Sequence, residues 1–476
     1  MVDCTPTDGI VLCVDMDGSL IRSDTLLESM LRLIKVKPWT LFMLPFVLLQ
    51  GRLHFKQWIN KQVQIDPASL PYNEPLLQWL RQQKAKGRRL VLATASVQSV
   101  ADRVARHVGI FDEVIGSQTI NLKASQKANE LVQRFGEQGF DYVGNSQDDL
   151  AVWQHARQAI AVQAPARVLL QLASSHTLVI FKDNTSKIQL FWRALRPHQW
   201  AKNGLILVPV LLAHRFFQLD EWIKCLWAFG SFSLTASSVY VLNDLLDLDA
   251  DRMHATKMAR PFASAQLSLS IGLAMVPLLL VAAAVLAAFL PLGFLGVLAF
   301  YYFCTLLYSF WFKSQVLLDV LALALLYTVR LLAGKVASDV PLSFWLLTFS
   351  LFLFFSLALV KRYSELMQKR KDHQMKAYGR GYHIEDMVML MIFGVTSAMT
   401  SVLVLALYIN SAQVRIGYHH PEWLWPMVPV LLYWVSRVWV LGHRGLMHED
   451  PVLFALRDRV SWGVFAVLAL TLLLAL

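Results

Sequence analysis

Apolar positions divide the chain into two unlike parts. From Met1 to about Asp183 charges recur every few residues, and three short apolar runs, within IVLCVDMDGSL, RRLVLATAS and FDYVGNSQDDL, each end in small polar or acidic residues. Apolar runs of that length, bounded by turn-forming residues, read as buried strands, and the longer mixed stretches between them as helices. The front of the chain is therefore expected to be an α/β domain. After Gly204 the runs lengthen to about 16 to 24 residues, against the roughly 20 that a bilayer core requires per helix. Nine candidate spans follow: Gly204–Leu219, Trp222–Leu242, Leu267–Leu290, Gly293–Phe312, Val316–Gly334, Leu342–Val360, Met387–Asn410, Trp423–Leu441 and Val460–Leu476. The expectation is a soluble domain over 1–183, a linker with an amphipathic entry over 184–203, and an all-α membrane domain of nine transmembrane helices over 204–476.

Composition agrees, since 56% hydrophobic and 16% charged residues in 476 is too apolar for an ordinary soluble protein. The opening MVDCTPTDGIVLCV lacks a basic stretch followed by a long apolar core, so the front domain is expected in the cytoplasm. Inner loops would then carry Arg252, Lys257 and Arg260, then Lys361, Arg362, Lys369, Arg370, Lys371, Lys376 and Arg380, then Arg444, Arg457 and Arg459. The opposite side would carry Asp220, Glu221, Lys335 and Arg415, which satisfies the positive-inside rule with an odd number of spans. The net charge of +11 collects at span ends rather than in an aromatic-interleaved patch, which points to anionic lipids and phosphorylated substrates and away from nucleic acid. Cys4, Cys13, Cys225 and Cys304 lack the paired spacing of a disulfide framework or a zinc site.

Candidate chemistry in the front domain starts at DMDG. At a strand end, Asp15 and Asp17 lie on one side and can converge on a metal or phosphate. One carboxylate can attack phosphorus while the other protonates the leaving oxygen and then activates water. Thr94 and Ser96 end the second strand, Gly144, Asn145, Asp148 and Asp149 follow the third, and Lys123 and Lys127 lie between, near a helix start. Together these segments resemble the four motifs of the haloacid dehalogenase superfamily over about residues 8 to 175. The resemblance implies a Rossmann-like fold with a helical cap at about 24–89. It further implies Asp15 as nucleophile, Asp17 as acid/base, Thr94 as phosphate donor, Lys127 or Lys123 as the charge-stabilising lysine, and Mg2+ held by Asp15, Asp17, Asn145 and Asp149. The sequence departs from the family where Asn145 stands in place of the usual aspartate, which leaves a degenerate regulatory domain as the alternative. Within the cap, PWTLFMLPFVLLQG is too short to span a bilayer. It reads either as cap core or as an interfacial element that lets the site reach a lipid-borne phosphate.

In the second part, NDLLDLDADRMHATKMARP follows a span. Asn243, Asp247 and Asp251 recur at i, i+4 and i+8, and Asp244 joins them at helical spacing, so all four share one broad face. Carboxylates so close repel unless a cation lies between them, and Mg2+ is suited to a few carboxylates plus substrate phosphates. The pattern resembles the first aspartate motif of the UbiA-type intramembrane prenyltransferase superfamily. The usual second aspartate motif is missing; YSFWFKSQVLLDVLALALLYTVRLLAG stands there, with Tyr308, Lys313, Asp319 and Arg330. Asp319 and Arg330 are about three helical turns apart on one face and could reach one polar cavity. LRPHQWAKN, RMHATKMARPFAS and ALVKRYSEL make the resemblance closest to the decaprenyl-phosphate phosphoribosyltransferase branch, from about Leu195 onward. That branch implies phosphoribosyl diphosphate as donor and a polyprenyl phosphate as acceptor. Asn243, Asp244, Asp247 and Asp251 then hold Mg2+ against the diphosphate. Arg196, Lys202, Arg252, Lys257, Arg260, Lys313, Arg330, Lys361 and Arg362 supply cations, arginine being suited to bidentate phosphate contacts. The polar loop His373–Tyr382 reads either as a cover for the donor or as a solvated connection.

The joint expectation is a bifunctional enzyme of the bacterial inner membrane with both sites on the cytoplasmic face, in which oligomers are allowed. It would make polyprenyl-phosphoryl 5-phosphoribose and then remove the 5-phosphate, for envelope or surface glycans. The alternatives are prenyl transfer to an aromatic acceptor beside a regulatory phosphatase-like domain, and a transporter or lipid-binding regulator; no internal repeat or pair of broken spans supports the last.

Overall fold

A computed structural model describes residues 9–173, 178–181, 185–215, 217–341, 343–371, 381–447 and 451–476. The chain forms two compact units. One joins Met1–Leu195 to Tyr240–Val276, and the other joins Arg196–Val239 to Pro277–Leu476. The acidic stretch after the first long helix thus packs with the front domain, which a division at 184–203 does not anticipate.

The first unit is built on six parallel strands, β1 (Val11–Val14), β2 (Leu90–Val97), β3 (Glu113–Ser117), β4 (Phe140–Gly144), β5 (Ala159–Val162) and β6 (Leu178–Phe181), in the order β3-β2-β1-β4-β5-β6. Alternate residues feed two cores, because successive side chains in a strand point to opposite faces. Leu12, Val14, Leu90, Leu92 and Val143 enter one, and Val11, Cys13, Val91, Ala93 and Tyr142 the other. The strand order reverses between β1 and β4, and the carboxyl ends of these two strands flank the crevice where open α/β sheets bind ligands.

Between β1 and β2 lie α1 (Thr25–Val36), a 3-10 turn (Pro38–Phe42), a short helix (Leu44–Leu49), α2 (Arg52–Gln62) and α3 (Glu74–Ala85). Asp24 starts α1 by accepting from the backbone N–H groups of Leu26 and Leu27, which satisfies donors that a helix start leaves open. Leu33, Leu44, Val47, Phe55 and Ile59 form a separate small core, whereas Leu76, Leu77 and Leu80 of α3 join the sheet. The cap is therefore shorter than the expected 24–89. Two further helices, α4 (Gln98–Val108) and α5 (Ser125–Phe135), follow β2 and β3.

Among the described residues seven helices are long and apolar enough to cross a membrane, or eight if the pair Pro451–Arg457 and Arg459–Ala475, bent by 84°, is one span. Nine were expected. The difference lies at the last candidate, whose helix Arg459–Ala475 counts only with the bent helix before it, and at the first, where Pro197–Leu207 is a 3-10 helix followed by the five-residue helix Val208–Leu212. Pro209 lacks an N–H where the 3-10 helix gives way to the next helix, and 3-10 geometry suits only short pieces, so the first segment does not make one continuous span. The helices used below are α6 (Leu219–Leu246), α7 (Leu248–Arg252), α8 (Leu269–Ala287), α9 (Leu292–Phe310), α10 (Leu318–Ser338), α11 (Phe344–Lys371), α12 (Met387–Ile409) and α13 (Met427–His443). Small residues permit close packing in the second unit, as is common between membrane helices. A Cβ at Gly334 of α10 would stand 2.1 Å from the Ile206 carbonyl, and one at Gly394 of α12 would stand 2.0 Å from the Trp439 ring of α13.

Candidate functional site

At the phosphatase-like crevice, Asp15 follows β1 directly and is buried. Lys127, in the first turn of α5, donates to Asp15 Oδ1 at 2.7 Å and to the Tyr142 hydroxyl at 2.8 Å. Lys123 instead pairs with exposed Asp148 at 3.0 Å, so Lys127 is the lysine that the fold brings to Asp15. Asp149 is saturated. Its Oδ2 accepts from the N–H groups of Asn145 and Ser146 and from the Ser146 hydroxyl, and its Oδ1 accepts from the Tyr142 hydroxyl at 2.8 Å. Asp17 accepts from the Thr25 N–H at 2.9 Å and the Ser96 hydroxyl at 2.6 Å, which ties it to the first residue of α1. Thr94 is buried and accepts from the Ser96 N–H at 3.1 Å. Gly18, with φ of +80°, leaves room for the Asn145 amide, whose nitrogen would lie 1.9 Å from a Cβ there.

Burial pushes the Asp15 carboxyl up to about 7 against the pull of Lys127, and raises Asp17 to about 6 against the Ser96 and Thr25 hydrogen bonds. Burial also opposes ionisation of Asp149, but Lys127 and the surrounding donors outweigh it and hold that carboxyl below its usual range. Burial disfavours the charged Lys127, yet Asp15 and Asp149 keep its pKa raised. The result is a buried cation beside the carboxyl group that follows β1. The cap closes over this crevice through Lys56 of α2, which donates to the Ala95 carbonyl at 2.6 Å and to Asn121 at 2.9 Å. Lys56 and Tyr142 escaped sequence reading, Lys56 for want of any motif and Tyr142 because a strand tyrosine reads as core.

The acidic stretch belongs to the same compact unit and splits into two groups. α6 ends at Leu246, and Asp247, at φ −101° and ψ 18°, interrupts the helix before α7. Asp244 and Asp251 are buried, and both accept from Arg260 Nη1, at 3.1 and 2.5 Å. Asp247 and Asp249 are half-buried and meet the cap: Lys35 donates to Asp247 at 2.7 Å, and Arg32 pairs with Asp249. Arg252 reaches Glu28 of α1 with both terminal nitrogens, at 2.9 and 2.7 Å, and donates from Nε to the Ala263 carbonyl. Asp244 and Asp251, on either side of the helix break, thus still share one cation, while Asp247 at the break pairs with Lys35 instead. Asn243 is half-buried on α6, and Lys257 starts a 3-10 turn ahead of Arg260.

In the second unit, Arg330 of α10 is buried, donates to Asn203 Oδ1 at 2.8 Å and the Tyr301 hydroxyl at 3.0 Å, and lies over the Tyr301 and Tyr327 rings at 5.0 and 5.5 Å. Lys202 lies over the other side of this group, 5.7 Å from the Tyr327 ring centre. Asp319 joins a different network: it accepts from Arg362 at 2.5 Å and from Tyr382, and Arg362 also reaches Glu365 and the Tyr308 hydroxyl. Asp319 and Arg330 thus share a helix and stand in different hydrogen-bond networks. Lys313 lies in the turn after α9, Lys361 is on α11, and Arg196 precedes the 3-10 helix with φ of +54°. Residues 373–380 of the expected donor-covering loop lie outside the described residues; Tyr382, its last residue, is buried against Asp319.

Among the described residues no three His, Cys, Asp or Glu side chains gather as a metal site. The donor chemistry nonetheless suits Mg2+: Asp15, Asp17 and the Asn145 amide supply hard oxygens at one crevice, and Asp244 and Asp251 already hold a cation, Arg260, between them. Asp149 has no oxygen left without a donor.

Comparison with known proteins extends the picture. Residues 52–152 match haloacid dehalogenase-like hydrolases. An uncharacterised protein, y4nM, of Sinorhizobium fredii is 34% identical across the whole of this chain and 92% of its own length. Nodulation protein NoeC of Azorhizobium caulinodans is 36% identical over 59% of this chain and 92% of its own length. Decaprenyl-phosphate phosphoribosyltransferase of Mycobacterium tuberculosis is 32% identical over 56% of this chain and 88% of its own length. The match to the UbiA prenyltransferase family runs over residues 205–456, more than half of the chain. With its long apolar helices and its parallel sheet, the chain is an integral membrane protein of the UbiA prenyltransferase family, carrying a haloacid dehalogenase-like domain in front of the transferase.

Proposed function

We propose that the chain transfers 5-phosphoribosyl from phosphoribosyl diphosphate to a polyprenyl (decaprenyl) phosphate and then removes the 5-phosphate, giving polyprenyl-phosphoryl ribose for envelope or surface glycans. One observation carries this reading: a transferase half similar to a decaprenyl-phosphate phosphoribosyltransferase is joined to a phosphatase-like half in which Lys127 backs Asp15. In the first reaction a lipid phosphate oxygen attacks C1 of the ribosyl group and the C1–diphosphate bond breaks. A phosphate monoester dianion is already a nucleophile, so no separate base is needed. Arg260, Lys202 and Arg330 offer charge-assisted donors to phosphate groups. In the second reaction Asp15 attacks the phosphorus of the 5-phosphate, Asp17 protonates the departing oxygen, and Asp17 then takes a proton from the water that releases phosphate. Asp17, raised to about 6 by burial, is suited to carry that proton near neutral pH. Mg2+, held by Asp244 and Asp251 beside Asn243 in one half and by Asp15, Asp17 and Asn145 in the other, would neutralise developing phosphate charge. The basic span-end loops support cytoplasmic sites in a bacterial inner membrane.

A second reading, prenyl transfer to an aromatic acceptor with a regulatory front domain, is favoured by Asn145 in the aspartate position. Both are tested by incubating purified protein with Mg2+ and either polyprenyl phosphate plus phosphoribosyl diphosphate or a prenyl diphosphate plus an aromatic acceptor, and weighing the lipid products. Wild type should give ribosyl lipid, Asp15→Asn should stop at the 5-phosphorylated lipid, and Asp251→Asn should give neither. Active transfer from a prenyl diphosphate, with no ribosyl lipid, would favour the second reading.

A further inference from the structure

The cap segment from Pro38 to Leu49 is apolar on both sides. Thr40, Leu44 and Val47 face the cap core, as helical spacing allows, yet the outer side is no more polar. Trp39, Phe42, Phe46 and Leu49 are 63%, 77%, 70% and 86% exposed, and Leu41, Met43 and Leu48 are exposed with them. A cap that met only water would carry polar residues on that side. Twelve residues cannot span a bilayer, but aromatic and aliphatic residues on a short helical segment are suited to the headgroup and acyl boundary.

Three observations identify what covers this face. Lys35, in the last turn of α1, donates to Asp247 at 2.7 Å, and Asp247 is the residue directly after α6, one of the membrane-crossing helices. Val36, the next residue along, is already 65% exposed, so the apolar segment follows directly on a side-chain contact with a span end. From Ser29 to Ile65 the chain has no Asp or Glu; Arg32 and Lys35 pair with Asp249 and Asp247 and Lys56 turns to the crevice, while Lys37, Arg52 and Lys61 flank the apolar face with positive charge. Apolar residues framed by cations are complementary to an anionic leaflet.

We propose that the outer face of Pro38–Leu49 docks into the surface of the bilayer that the chain itself spans, so that the phosphatase-like crevice draws its phosphate from a lipid. α2, which follows after two residues, carries Lys56 over that crevice, so the docked segment and the crevice cover are one continuous element. Docking itself is independent of the function proposed above; the lipid-borne substrate rests on it.

The test places a fluorophore at Phe42→Cys, and separately at Phe46→Cys, in the full-length protein. The carrier is a nanodisc of phosphatidylethanolamine and phosphatidylglycerol doped with nitroxide-labelled acyl chains. Glu137→Cys, in the loop leading into β4 and so at the opposite end of the sheet from Asp15, is the control, and label on the unmutated protein gives the background from native cysteines. Positions 42 and 46 should lose most of their fluorescence to the lipid nitroxide and little to aqueous iodide, with the reverse at 137. Quenching at 42 and 46 by iodide alone overturns docking, and so does shielding from both quenchers, which would mean a protein partner instead. A second arm replaces Phe42 and Phe46 together by Glu. This variant should lose hydrolysis of the 5-phosphorylated lipid in bilayers and keep that of p-nitrophenyl phosphate; unchanged lipid hydrolysis overturns the lipid-supply half. Wild type inactive on both substrates sinks the phosphatase reading and with it the lipid-supply half, while the quenching result still decides docking.

Discussion

Asp15 and Asp17 carry opposite demands on charge. Burial raises both above the ordinary carboxylate value of 3.8, to about 7 and about 6, so the folded, metal-free crevice favours their protonated forms. A carboxyl whose folded pKa is raised lends its stabilisation below the unfolded value and loses it as pH climbs through the folded one. The metal-free protein should therefore become less stable between about pH 4 and 7 on account of this pair. Mg2+ needs the ionised forms, so its stabilising shift in melting temperature should be larger at pH 8 than at pH 5.5. Equal shifts at both pH values, or a larger one at pH 5.5, would mean that these carboxyls are not where the metal binds. In the second unit, Arg330 presents a planar, multiply bonded donor to Asn203 and Tyr301. Lysine keeps the charge but not the fork. Arg330→Lys should slow ribosyl transfer by about 100-fold, a typical loss for one preorganised donor, and near wild-type transfer would assign Arg330 to packing.

Elements explain what spacing alone could and could not convey. The strand ends and the DMDG and GNSQDD turns were legible because a short buried strand followed by acid has few other readings, and the crevice forms where those readings put it. The first candidate span failed because apolar content was counted without weighting Pro209, which lacks an N–H at the junction between a 3-10 helix and a five-residue helix. Of the aspartate face, Asp244 and Asp251 meet at Arg260, whereas Asp247, where the backbone leaves helical geometry, pairs with Lys35. Cap contacts were invisible for a different reason: Glu28, Arg32 and Lys35 repeat at helical spacing and look like the solvated side of α1, yet they meet Arg252, Asp249 and Asp247. Glu28 is buried and the Arg252 side chain is only 9% exposed. Removing one partner leaves the other charge buried, which typically costs about 3–5 kcal/mol. Glu28→Ala and Arg252→Met should each lower the thermal midpoint sharply, and the double variant should lose much less than their sum. Additive losses would mean that the pair is solvated in the working protein.

At the scale of the whole molecule, the proposed intermediate is an amphiphile: its polyprenyl chain stays in the bilayer while its phosphorylated ribose reaches the aqueous face. Hydrophobic anchoring by a long prenyl chain makes escape into water slow compared with diffusion in the plane. Fusion of the two activities then raises the chance that one molecule completes both steps, but transfer between molecules in the same membrane remains open. Two defective proteins test this. Asp15→Asn keeps the transferase and Asp251→Asn keeps the phosphatase, so neither alone should yield dephosphorylated ribosyl lipid. Reconstituted together in one set of vesicles they should make it, and reconstituted in separate vesicles that are then mixed they should stop at the 5-phosphorylated lipid. Production in the mixed separate vesicles would mean that the intermediate leaves the membrane. Failure in the shared vesicles, with each variant active in its own half-reaction, would mean that the lipid passes from one site to the other without leaving the chain that made it.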